Sequence, residues 1–200
     1  ALVRHGIAVL RFDFTGLGAS EGEFASTNFS SNVQDLKLAT DHLRAHYGAP
    51  RILIGHSLGG TAVLAAAGDI PGVRAVATIN APADAAHVLR SFAVHLEDIE
   101  KNGEAEVMLA GRSFRIRKDF IEDVRGQALH DRIATMNRAL LILHAPLDTI
   151  VGIENATRIF TAARHPKSFV ALDGADHLLT RRPDAEYAGT VIAGWASRYL

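Results

Sequence analysis

Short apolar runs rich in β-branched residues alternate along this chain with segments of helical periodicity. The runs cover residues 7–14, 51–54, 73–79, 139–143 and 168–172. Each run is typical of a strand buried on both faces. Helical patterns fill residues 31–47, 61–67 and 154–163 between these runs, and strands that alternate with helices favour a sheet covered on both sides. The sequence therefore predicts an α/β fold with a doubly wound, mostly parallel sheet.

Capping residues predict where two of the helices begin. Ser31 and Gln34 have the spacing of a capping box, so a helix is expected to start at this point. Asp184 follows Pro183, and a carboxylate there is expected to cap a final helix.

Residues 84–137 interrupt the alternation, because no strong buried strand occurs in them and their charge is high. We expect this segment to form a small cap insertion within a single domain of residues 1–200. A small hairpin with its turn at residues 110–112 is predicted inside it. The hairpin pairs four apolar residues, Val107, Leu109, Phe114 and Ile116.

Composition excludes several functions. Lys and Arg number 21 against 22 Asp and Glu, so the net charge of −1 disfavours binding to nucleic acid or to an anionic membrane surface. The absence of cysteine excludes disulfides, thiolate metal sites and cysteine nucleophiles. Ten histidines occur without metal-ligand spacing, so no metal is predicted.

No apolar run approaches the roughly 18 residues that span a bilayer, and no signal-peptide pattern opens the chain, so a cytoplasmic location is expected.

Ser57 is the predicted nucleophile. It is the central residue of the motif Gly-His-Ser-Leu-Gly at residues 55–59, which follows one predicted strand and precedes a helix of small residues. A serine in this setting lies on a sharp, strained turn that exposes its hydroxyl. We expect glycine at positions 55 and 59 because side chains there would collide with the neighbouring strand and helix. His56 is interpreted as a packing or hydrogen-bonding residue.

A serine hydroxyl needs a base, and the base needs an acid to orient it. His177 follows the predicted strand at residues 168–172, and Asp148 follows the strand at residues 139–143. These two residues are the predicted base and acid. Asp84, at the end of the preceding strand, is the alternative acid.

The chain order Ser57, Asp148, His177, with each residue after a strand, resembles that of the α/β-hydrolase superfamily. The resemblance covers essentially the whole chain. It includes Arg-Phe-Asp-Phe-Thr-Gly-Leu-Gly-Ala-Ser-Glu-Gly at residues 11–22, which is similar to the loop after the fourth strand in these enzymes, although Thr15 and Leu17 replace the frequent Arg and His.

The superfamily resemblance implies a serine hydrolase that cleaves a small-molecule ester or related acyl compound through an acyl-enzyme, without a cofactor. It implies that the backbone N–H of Leu58 is one oxyanion-hole donor. It also implies that the first three strands, and the loop with the second donor, are missing before residue 1. Serine as the nucleophile disfavours dehalogenases and epoxide hydrolases of this fold, whereas an acyl transferase, peptidase or thioesterase would show the same residues.

Three further segments resemble the hydrolase half of bacterial proteins that carry an OsmC-type domain at their C-terminus. They are residues 28–33, 79–84 and 163–169. This resemblance implies a fused partner domain in the full-length protein. It also leaves open a second function, a catalytically weak or non-enzymatic module that serves the fused domain.

Overall fold

Strands and helices alternate through most of the chain in the structure, a computed structural model that describes residues 1–109 and 112–200. In chain order the elements are α1 (Phe29–His46), β1 (Ile52–His56), α2 (Leu58–Ala66), β2 (Ala75–Ile79), α3 (Leu96–Asn102), β3 (Glu104–Leu109), β4 (Arg112–Arg117), α4 (Lys118–Arg125), α5 (Leu129–Thr135), β5 (Ala139–His144), α6 (Glu154–Ala162), β6 (Lys167–Ala171) and α7 (Arg182–Ala196). Short 3₁₀ helices occupy Leu2–His5, Phe24–Ser26 and Ala85–His95. The predicted alternation is confirmed.

Four strands form one parallel sheet in the order β1-β2-β5-β6. The register places His56 beside Ile79, Ile79 beside Leu143, and His144 beside Ala171. All four strands therefore end at the same edge of the sheet. Loops that follow neighbouring parallel strands meet at that edge, where ligands bind in open α/β sheets.

Alternate residues of β5 explain why helices cover both faces of the sheet. Leu140 and Ile142 pack into an apolar cluster with side chains of α1 and α2, whereas Leu141 and Leu143 pack with Ile192 of α7. Successive side chains of a strand point to opposite faces. A strand that is apolar at successive positions is therefore buried on both faces of the sheet.

Residues 7–14 do not form the predicted strand, and that prediction is wrong. No strand pairing involves them within the described part of the chain. Val9, Leu10 and Phe12 are 49%, 45% and 38% exposed. β propensity reflects packing and ladder hydrogen bonds with a neighbouring strand, and no described strand pairs with this segment to supply them.

Two predicted helix starts are also wrong. Helix α1 begins earlier, where the side chain of Asn28 accepts a hydrogen bond from the Ser31 N–H at 2.8 Å and Ser31 Oγ accepts one from the Asn28 N–H at 2.9 Å. Asn28 precedes the buried Phe29, which extends the apolar face of the helix upstream. Helix α7 starts at Arg182, so Asp184 lies inside its first turn and does not cap it.

The segment at residues 84–137 contains the predicted hairpin. β3 and β4 pair antiparallel, with Val107 opposite Phe114 and Leu109 opposite Arg112. Arg112 therefore belongs to β4 and not to the predicted turn. Residues 110 and 111, the rest of that prediction, lie outside the described residues. Ile99 and Ile121 of the flanking helices are buried in the same apolar cluster as α1 and α2.

Within residues 1–109 and 112–200, no helix is long and apolar enough to cross a membrane. The same described ranges contain no group of three or more His, Cys, Asp or Glu side chains placed to hold a metal ion.

Candidate active site

Ser57 lies on the turn between β1 and α2, as predicted. Its backbone has φ 51° and ψ −129°, a left-handed conformation that costs free energy for any residue with a Cβ. The turn is held from both sides, because the Ser57 N–H donates to the Ile79 carbonyl at 2.9 Å and the Ser57 carbonyl accepts from the Gly60 N–H at 2.8 Å. The hydroxyl is therefore carried on a fixed main chain.

The close approach of β1 to α2 explains one of the two predicted glycines. A Cβ at position 55 would lie 2.3 Å from the Gly59 carbonyl oxygen, so only glycine fits there. A Cβ at position 59 would only touch the Phe14 ring at 3.9 Å, so the predicted steric need for Gly59 is wrong. Gly60 is the crowded position instead, since its Cβ would meet that of Ala81 at 2.5 Å.

A chain of hydrogen bonds joins Ser57, His177 and Asp148. His177 Nε2 lies 3.0 Å from Ser57 Oγ, and His177 Nδ1 lies 2.6 Å from Asp148 Oδ2. An ionised carboxylate only accepts, so Nδ1 carries the proton and donates to Asp148. Nε2 then has a free lone pair that accepts from the serine hydroxyl. The imidazole is thus oriented as a base toward Ser57.

Asp148 is held in place by main-chain donors of its own loop. Its Oδ1 accepts from the N–H groups of Ile150 at 2.8 Å and Val151 at 3.0 Å. The side chain has no exposed surface. His144, at the end of β5, donates from Nε2 to the Val151 carbonyl at 2.8 Å and thereby fixes the same loop. Three hydrogen bonds, from these two N–H groups and from His177, therefore fix the position of the carboxylate.

Asp84, the alternative acid, does not contact His177. Its Oδ1 accepts from the Ala86 N–H at 2.9 Å and caps the 3₁₀ helix Ala85–His95. Its Oδ2 lies 4.0 Å from the guanidinium of Arg158. The geometry therefore separates the two predicted acids, and only Asp148 reaches the imidazole.

Leu58 is the first residue of α2 and is half-buried. Its N–H has no acceptor within the described residues. First-turn N–H groups lack partners inside a helix and carry partial positive charge, so they attract an anion. The Leu58 N–H therefore has the position and polarity of an oxyanion donor beside Ser57.

Two side chains that sequence reasoning gave no site role, His56 and Asn80, contact the main chain of His177. His56 Nε2 lies 2.6 Å from the His177 carbonyl oxygen, and Asn80 Nδ2 lies 2.9 Å from it. Burial lowers the pKa of His56, so its ring is neutral near pH 7. The one signal that points to Asn80 in the sequence is an amide directly after a buried apolar strand.

Comparisons with known proteins identify a family and two curated relatives that this chain resembles. The family model described as serine aminopeptidase, S33 (Hydrolase_4) matches residues 1–101, which include Ser57 but not Asp148 or His177. The mouse (Mus musculus) mitochondrial palmitoyl-protein thioesterase ABHD10 is 28% identical over 187 residues, which are 90% of this chain and 62% of that protein. The uncharacterized protein YfhR of Salmonella typhimurium is 27% identical over 88% of this chain and 57% of its own length. The chain thus spans about three fifths of these curated relatives.

A solved structure has higher identity. The esterase domain of a Rhodothermus marinus protein superposes with a TM-score of 0.77 and 51% identity, over 99% of this chain and 77% of that chain. The predicted fold class is confirmed by this match together with the parallel sheet. Half of the chain matches the family model, and this relative exceeds 30% identity. The chain belongs to the serine aminopeptidase S33 family and has the α/β-hydrolase fold.

Proposed function

We propose that the protein hydrolyses a carboxylic ester or related acyl bond through an acyl-enzyme formed on Ser57. His177 acts as the general base and acid, and Asp148 orients His177. The hydrogen-bond chain from Ser57 Oγ to His177 Nε2 at 3.0 Å, and from Nδ1 to Asp148 Oδ2 at 2.6 Å, carries this proposal. The names of two similar proteins, an esterase domain and a palmitoyl-protein thioesterase, support an acyl substrate.

In the first half-reaction, Ser57 Oγ attacks the carbonyl carbon while its proton passes to His177 Nε2. The imidazolium that forms is stabilised by the carboxylate of Asp148. The tetrahedral oxyanion lies against the N–H of Leu58, where the N-terminus of α2 favours negative charge. The C–O bond to the alcohol then breaks, and the alcohol takes the proton from Nε2.

In the second half-reaction, water attacks the acyl carbonyl and gives its proton to the same Nε2. Collapse of the second tetrahedral intermediate releases the carboxylic acid, and the proton on Nε2 returns to Ser57 Oγ. The enzyme ends the cycle in its starting protonation state. The proton transfers of both half-reactions involve only Ser57, His177, the substrate and water.

A pre-steady-state experiment tests this mechanism. We expect p-nitrophenyl acetate and butyrate to give a burst of p-nitrophenol with the protein, because acylation precedes a separate deacylation step. Mass spectrometry of the quenched reaction is expected to find the acyl group on the peptide that contains Ser57. Acyl thioesters run in parallel distinguish a thioesterase from an esterase. Turnover without an acyl group on Ser57 contradicts the proposal.

The fused OsmC-type domain is a separate prediction about the full-length protein. It is tested by the coding sequence downstream of residue 200, which is expected to encode that domain.

A further inference from the structure

The carbonyl oxygen of His177 accepts hydrogen bonds from two side chains that come from two neighbouring strands. His56 is the last residue of β1 and lies 2.6 Å away through Nε2. Asn80 directly follows β2 and lies 2.9 Å away through Nδ2. A carbonyl oxygen has two lone pairs, so these two donors satisfy it completely.

The orientation of the Asn80 amide is set by a third contact. Its Oδ1 accepts from the N–H of Ala145 at 2.8 Å, so Nδ2 must point toward His177. Asn80 is completely buried and has φ 47°, a left-handed conformation that asparagine tolerates better than most residues. A buried amide with both ends bonded is fixed in one rotamer. The loop after β6 is thereby tied to the ends of β2 and β5.

The tautomer of His56 is set in the same way. The carbonyl of His177 can only accept, so His56 must carry a proton on Nε2. The two rings lie 5.0 Å apart between centroids, and His56 is the residue immediately before Ser57. The residue before Ser57 is therefore hydrogen-bonded directly to the main chain of His177.

We infer that His56 and Asn80 are positioning residues, which hold the main chain of His177 so that its imidazole stays within reach of Ser57 and Asp148. This inference rests on the proposed function. Asp148 restrains the ring from the Nδ1 side only, and rotation of the exposed loop that bears His177 would carry Nε2 away from Ser57. A displacement of about 1 Å at a reacting group costs up to about 10²-fold in rate.

The first test compares His56→Leu, which removes the donor, with His56→Gln, whose amide nitrogen restores one at similar reach. His130→Leu is the matched control, since His130 is exposed on α5 and remote from the site. We expect His56→Leu to lower kcat for a p-nitrophenyl ester about 10- to 100-fold with KM nearly unchanged. His56→Gln is expected to stay within about fivefold of the wild type.

The second test replaces Asn80 with aspartate, which keeps the shape and the acceptor for Ala145 but removes the donor. A similar loss of kcat is expected. Because both side chains act on one oxygen atom, the double variant His56→Leu/Asn80→Asp is expected to lose less than the product of the two single losses. The single variant Asn80→Asp carries the test alone if His56→Leu does not fold, as judged by its melting curve.

A spectroscopic readout separates this inference from the proposed function. Nitrogen NMR of histidine is expected to show His56 protonated on Nε2 in the wild type, whether or not an ester is turned over. Protonation on Nδ1 overturns the inference. So do wild-type kcat values for folded His56→Leu and Asn80→Asp, or equal losses in His56→Leu and His56→Gln. An absence of wild-type acylation at Ser57 overturns the proposed function instead.

Discussion

Asp148 and Asp84 are two carboxylates at the ends of neighbouring strands, and their surroundings give them different roles. Asp148 accepts from His177 and from two main-chain N–H groups, whereas Asp84 caps a short helix. From the sequence both are acids near a strand end. The distinction depends on which loop turns toward His177, and spacing along the chain does not contain that information.

Replacing each carboxylate by its amide tests the assignment. Asp148→Asn is expected to lower kcat by roughly 10³–10⁴, because an amide no longer enforces the tautomer that leaves Nε2 free. Asp84→Asn is the matched control and is expected to stay within about twofold of the wild type, since asparagine also caps a helix. Ester turnover with each purified variant measures the effect. Comparable losses of kcat in Asp148→Asn and Asp84→Asn would contradict the assignment of Asp148 alone as the acid.

The predicted residues Ser57, His177 and Asp148 were accessible from sequence because each follows a predicted strand, and parallel strands end at one edge. Asn80 was not accessible in the same way. Its role depends on a main-chain carbonyl 97 residues away, and main-chain atoms carry no sequence signal. The same reason explains why His56 was recognisable as a hydrogen-bonding residue but its acceptor was not.

At the scale of elements, the packing of α2 against β1 makes different demands on two glycines of one motif. Gly55→Ala is expected to destabilise the protein by at least about 2 kcal/mol, because its Cβ would overlap the main chain of α2. Gly59→Ala is expected to leave stability unchanged or raise it by up to about 1 kcal/mol, since alanine favours a helix. Urea denaturation of both variants measures the difference. Equal destabilisation would contradict the described packing.

Asp69, in the loop after α2, forms ion pairs with two helices. It accepts from Lys37 of α1 at 3.0 Å and from Arg132 of α5 at 3.0 Å. The hydrogen bond from Lys37 is the main cause that holds the pKa of Asp69 below its ordinary value of 3.8. Its carboxylate is 38% exposed, so screening keeps the contribution small.

We expect Asp69→Asn to cost about 0.5–1 kcal/mol near pH 7. A depressed folded-state pKa stabilises the protein above the unfolded-state pKa, and that stabilisation is lost as the pH falls through the folded-state value. The difference in free energy of unfolding between Asp69→Asn and the wild type is therefore expected to shrink as the pH falls below about 3.8. Asp131→Asn is the control, because that carboxylate is 84% exposed beside His130. A stability difference between Asp69→Asn and the wild type that does not change with pH would contradict the ion-pair account.

Element type was predictable wherever the apolar pattern and a packing partner agreed. The central strand β5 is an example, because its six residues are all buried and the five residues 139–143 are all apolar. Residues 7–14 are also apolar except for Arg11 and Asp13, yet they remain unpaired within the described chain. The apolar pattern indicates only that a segment favours a β-strand. A strand also needs a neighbouring strand to form its main-chain hydrogen bonds.

For the whole molecule, the central claim is that one sheet edge brings three side chains from distant parts of the chain into a single reactive unit. His177 lies 120 residues from Ser57 and 29 residues from Asp148 in sequence. Each comes from a different loop at the end of the parallel sheet. We therefore expect the reactivity of the serine to depend on the fold as a whole. A reagent that labels only activated serines measures that reactivity directly.

Covalent labelling of the protein with a fluorophosphonate is that measurement, followed by peptide mass mapping and by labelling rates for two variants. The account predicts one adduct, on the peptide that contains Ser57, with no adduct in Ser57→Ala and a labelling rate at least about 10²-fold lower in His177→Ala. An unlabelled Ser57 in the folded wild type, or a labelling rate unchanged by His177→Ala, would contradict it.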